Sequence, residues 1–152
     1  MPIFVRGIEP TKLAFRVGMM KLHVLKTDAM MKFGEELKVV AQEELDATKY
    51  VDTGALKSSI HVKLVESNLE NIRVDVVAGD PSVIRGGGSF KVSTKYPDNL
   101  VEPIPTTEYA AKVELEGGKR GPAYYMRTAF EYGKQIAPLR VNELLIKAVK
   151  GI

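Results

Sequence analysis

The amino-acid sequence predicts an α+β fold: a small antiparallel sheet packed by a long helix from the N-terminal half and a kinked C-terminal helix, with a long protruding loop. Three observations predict it. Ala29, Met30, Phe33, Leu37, Val40, Ala41 and Leu45 return to one side every three or four residues, as an amphipathic helix requires. Ile60, Val62 and Leu64, then Ile72, Val74, Val76 and Ala78, alternate with polar residues, as half-buried strands do. Val141, Leu144, Leu145, Ala148 and Val149 form a second helical stripe near the end of the chain.

The elements follow in order. Residues 1–21 read as an extended arm or short strand: Ile3 and Val5 alternate briefly, Pro10 interrupts, and Leu13, Phe15, Val17, Met19 and Met20 fit either a strand or an initial helical turn. The long helix then starts near Lys26, where Thr27 or Asp28 supplies a side-chain acceptor for its first amides. Gly34 costs about 1 kcal/mol relative to alanine inside a helix, so a close neighbour is expected there. The helix stops near Thr48, ahead of a turn at Asp52, Thr53 and Gly54. Glycine tolerates the left-handed backbone angle of such a turn, and the Asp52 or Thr53 side chain can bind a nearby amide.

The two alternating segments, joined by the polar stretch 66–71, form a hairpin. Residues 80–107 hold Pro81, Gly86-Gly87-Gly88, Pro97, Pro103 and Pro105, which is unusually long for a loop inside one domain. Its triglycine lacks the lysine and hydroxyl sequel of a phosphate-binding loop. Residues 109–115 read as a short strand or helical turn. A helix opening at Tyr125 must break or bend at Pro138.

Composition excludes several functional classes. The 152 residues suffice for one domain with one core. Without cysteine the chain has no disulfide, thiolate nucleophile or sulfur-bound metal. No 18-residue apolar run is present, so no helical membrane span is expected. Residues 1–7 lack the basic and then apolar pattern of a secretory signal, which points to synthesis in a cytosol. The 22 basic and 19 acidic side chains are interspersed, permitting a local basic face without requiring nucleic acid.

Catalytic constellations are weak. His23 and His61 are far apart in sequence, and Glu114 and Glu116 sit in no recognisable acid–base setting; surface or edge roles fit them better. Lys119, Arg120 and Arg127 form the best basic cluster, which Lys134 and Arg140 would extend; it reads first as a solvated face, then as a contact for an acidic protein or a phosphate backbone. Phe130 reads as core. Val83, Ile84, Phe90 and Val92 in the long loop, with Tyr124 and Tyr125, are the expected contacts between subunits, since burying them repays the entropy of ordering a loop.

Val51-Asp52-Thr53-Gly54-Ala55-Leu56-Lys57-Ser58-Ser59-Ile60 resembles the threonine-glycine-x-leucine turn and strand entry of the HK97-gp10-like family of tailed-phage proteins. Tyr109 to Gly118 is similar to that family's tyrosine-alanine, valine-glutamate and glycine segment. Tyr125-Met126-Arg127-Thr128-Ala129 is similar to the opening of its last helix, with Tyr125 and Thr128 in place of phenylalanine and proline. The resemblance implies a non-enzymatic structural protein that completes the tail or joins tail to head as a ring, a hexamer or dodecamer. It would reside in the virion, or in the host cytoplasm during assembly. Its partners would be copies of itself and neighbouring tail-tube, tail-terminator or connector proteins, with DNA passing through the channel. No cofactor, metal or membrane is implied. A nucleic-acid-binding module built on the cluster near Arg120 is the alternative reading.

Overall fold

The computed structural model describes residues 8–48, 54–85, 104–116 and 122–151. Its elements are α1 (Ile8–Ala47), α2 (Ala55–Ser58), β1 (His61–Ser67), β2 (Ile72–Val77), β3 (Ile84–Arg85), β4 (Ile104–Pro105), α3 (Thr106–Leu115) and α4 (Tyr125–Lys150). The class is α+β, with the β1–β2 hairpin and α4 packed against α1.

The first correction concerns α1, which begins at Ile8 rather than near Lys26. Lys12, Leu13, Ala14, Met19, Met20, Lys21 and Leu22 are good helix formers, and their preference decides for a helix over the extended arm. Pro10 lies in the first turn, where its missing N–H breaks no helical bond. At 40 residues the helix is about 60 Å long.

After α1 the described chain resumes at Gly54, whose φ of 75° is left-handed. The single turn α2 follows, so the elbow contains a short helix that the alternation of Ile60 and Val62 did not announce. Asp52 and Thr53 lie outside the described residues. Ala55, Leu56, Ser59 and Ile60 are buried, which anchors the elbow to the core.

β1 and β2 pair antiparallel, Val62 opposite Val76 and Leu64 opposite Val74, with a bulge between Leu64 and Glu66. Val62 and Val74 face α1 at Gly34: a Cβ on that glycine would stand 2.8 Å from one valine Cγ1 and 3.0 Å from the other. The bulge reverses which side chains face α1 beyond it. Ser67 therefore reaches the helix, its hydroxyl 3.0 Å from Nε2 of His23 and 3.3 Å from Oγ1 of Thr27.

On another side of α1 lies α4. A Cβ on Gly133 would stand 2.8 Å from Cδ2 of Leu37, and Arg140 binds Glu36 of α1 through its Nε and Nη2 at 2.7 to 3.2 Å. Helical structure runs through Pro138 without a break, correcting the expected division into two segments; the ring sits on an exposed position. The core joins Ala41 and Leu45 of α1 to Leu56, Ile60, Ala110, Ala123, Tyr125 and Ala129.

Two buried hydroxyls tie the loops to this core. Ser59 Oγ donates to the Leu56 carbonyl and accepts from the Gly79 amide. Thr106 Oγ1 accepts from the Asp80 amide and donates to the Asp80 carbonyl, both at 2.8 Å. The two flanks of the segment 80–107 are thus tied together, since Thr106 clamps Asp80 and β3 pairs with β4; residues 86–103 of the expected loop lie outside the described residues. Within the described residues no buried side-chain nitrogen or oxygen lacks a partner.

Candidate assembly surfaces

The first surface is the N-terminal part of α1. His23 meets Ser67 near the hairpin turn, and every residue from Lys12 to Leu22 is exposed. Leu13, Phe15 and Met20 are each more than 60% exposed, as is Val24, and Val17, Met19 and Leu22 more than 40%. At 100° per residue Leu13, Val17, Met20 and Val24 form one stripe, while Phe15, Met19 and Leu22 form another on the opposite side. Between Glu9 and Asp28 there is no acidic residue, whereas Lys12, Arg16, Lys21 and Lys26 are basic. So dense an apolar set in water marks a contact site. The sequence signal lies in those side chains, but an extended arm or short strand accommodates them equally well, so the sequence does not single them out as a site.

The second surface is a groove of about 650 Å³ between α1 and α4, lined by Glu36, Val39, Val40, Tyr132, Ile136, Leu139, Arg140 and Glu143. Val39, Tyr132 and Leu139 are exposed there, Leu139 by 74%. Arg140 is held between Glu36 and Glu143, the latter 2.9 Å from Nη1. The hydrogen bonds from Arg140 hold the Glu36 carboxyl below its ordinary range against a smaller opposing effect of desolvation, and the same bonds raise the guanidinium further. Arg140 is therefore engaged by carboxylates instead of extending a cationic cluster.

The corner where α3 meets α4 is the third. The segment 109–115 falls within a helix, α3, which resolves the choice between strand and helical turn. Glu114 near its end accepts from the Met126 amide at 3.0 Å and the Arg127 amide at 2.9 Å. A carboxylate from one helix thus caps the next, where unpaired amides and the helix dipole favour negative charge. Tyr124 caps α4 with a left-handed φ of 50°, a strained value for a residue with a side chain. The Arg127 guanidinium lies 4.9 Å from its ring centre.

Placement of the sequence-predicted residues is mixed. Tyr124 is 39% exposed and accessible to a neighbour. Tyr125, expected between subunits, is instead fully buried in its own chain, its hydroxyl donating to the Ala110 carbonyl at 3.4 Å. Phe130, expected in the core, is 63% exposed, because Ala129 and Gly133 occupy the inward face of α4. Val83 is half-buried at the loop base and Ile84 lies in β3. Phe90, Val92, Lys119 and Arg120 lie outside the described residues.

His61 Nδ1 lies 2.9 Å from the Ser59 carbonyl, and among the described residues no three His, Asp or Glu side chains cluster to hold a metal ion. No described helix is long and apolar enough to cross a membrane. Comparison of the chain with protein-family models, with curated proteins and with solved structures returns no match.

Proposed function

We propose that this chain is a non-enzymatic structural subunit of a tailed-phage virion, completing the tail or joining tail to head as a ring of identical copies. The observation that carries the reading is the exposed apolar run of α1 from Leu13 to Val24, which has hydrophobic side chains on two opposite sides and extends past the hairpin. Such a helix gains by being covered. The order of elements also accords with the resemblance: a long helix, a glycine elbow at Gly54, a hairpin, the paired β3 and β4, then a short and a long helix.

A ring needs two different complementary surfaces on each copy, and the exposed N-terminal part of α1 and the α1–α4 groove are separate surfaces that can serve as such. Negative-stain images of the purified protein at high concentration test the reading, with rings of one diameter expected. A strict monomer that also fails to add to isolated tails or connectors would overturn it.

A further inference from the structure

We infer that the arm of one copy, residues 12–24, docks in the α1–α4 groove of the next copy, a head-to-tail contact that rests on the reading of the chain as a self-assembling subunit. Three properties match the two surfaces. Leu13 to Val24 and Tyr132 to Glu143 cover equal runs of helix, each about 17 Å long. Both present exposed apolar side chains: Leu13, Val17, Met20 and Val24 on the arm, and Val39, Tyr132 and Leu139 on the groove.

Charge gives the direction. The arm carries basic and no acidic side chains between Glu9 and Asp28. The groove is lined by two carboxylates, Glu36 and Glu143, and one cation, Arg140, with Lys147 near enough to act on Glu36, and Glu43 adds a third carboxylate one helical turn from Val39 on the same side of α1. Two arms laid side by side would set like charges together, whereas arm in groove sets opposite charges together. A flat anionic lipid surface fits less well. A surface helix has one apolar face, but here Phe15, Met19 and Leu22 form a second stripe opposite the first. The arm and groove differ, so each copy gives one and receives one.

The absence of cysteine allows an unambiguous test. Val17→Cys is introduced in one preparation and Leu139→Cys in another; both positions are exposed, and circular dichroism checks that the fold is kept. The two are mixed and mildly oxidised, with Glu70→Cys at the hairpin turn replacing Leu139→Cys as control. The expected result is a mixed Val17→Cys/Leu139→Cys disulfide at ~10-fold or more the yield of the control, because docking raises the local thiol concentration. A yield no greater than the control, or predominant Val17→Cys homodimer, would overturn the inference even if rings form. The mixed disulfide in open chains without rings would support the docking while contradicting the ring. Binding of the wild type to anionic vesicles that competes away the cross-link would assign the arm to lipid and overturn the inference.

Discussion

Gly34 of α1 and Val62 of β1 approach so closely that a Cβ on the glycine would stand 2.8 Å from Cγ1 of the valine. Two short branched side chains, Val62 and Val74, leave no room there, and branched residues are stiff about their first torsion. Gly34→Ala should therefore destabilise the protein by up to ~2 kcal/mol: overpacking costs about 1–3 kcal/mol and the gain in helix preference returns about 1. Urea unfolding checks this, with the midpoint falling and the slope unchanged. Adding Val62→Ala should make the Gly34→Ala step less costly.

The contact at Gly133 has the same distance but a different neighbour. The atoms it faces are the two ends of the Leu37 side chain, at 2.8 and 2.9 Å, which can rotate away. Gly133→Ala should change stability by less than ~1 kcal/mol, as relief of the glycine penalty offsets the displaced leucine. A loss equal to that of Gly34→Ala in the same unfolding assay would show that the α1–α4 seam is as unyielding as the sheet side.

Glu114→Ala removes the acceptor of two amides at the start of α4. A loss of ~1–2 kcal/mol is expected from the lost cap and its dipole interaction. Glu114→Gln, which keeps an oxygen but no charge, should lose less. Thermal melts of the two variants beside wild type give the comparison, and equal melting temperatures for all three would remove the cap from the account.

Acid should weaken the seam between α1 and α4. Hydrogen bonding from Arg140 lowers the Glu36 carboxyl from its ordinary value of 4.5, so the folded state binds that proton less readily than the unfolded state. The resulting stability is fully present above 4.5 and is lost as pH falls through the lower folded value. Both side chains are about one-third exposed, at 35% and 33%, so screening by solvent keeps the contribution of the pair small. A double-mutant cycle with Glu36→Gln and Arg140→Gln at neutral pH and again near pH 3 measures it, and the coupling should shrink in acid.

Much of the fold could be read from side-chain periodicity. The helix from Ala29 to Leu45, the hairpin and the Gly54 turn each have one apolar face or one special backbone angle, and such features are local. The first part of α1 was not legible because Leu13, Phe15, Val17, Met19 and Met20 fit a strand as well as a helical turn, and an arm whose apolar side chains are exposed needs no single apolar face. Tyr124 and Tyr125 are adjacent and chemically alike, so only the packing of α3 on α4 decides which is buried. The Glu114 cap joins residues that are distant in sequence, and the α1–α4 groove exists only once the helices pair.

The mass of the assembled species in solution, measured by light scattering over a wide concentration range for wild type and for Val17→Asp/Met20→Asp, bears most directly on the central claim. The account predicts one closed oligomer for the wild type and a monomer with an unchanged unfolding curve for the arm variant. A wild type that stays monomeric at every concentration, or an arm variant that assembles as well as the wild type, would contradict it.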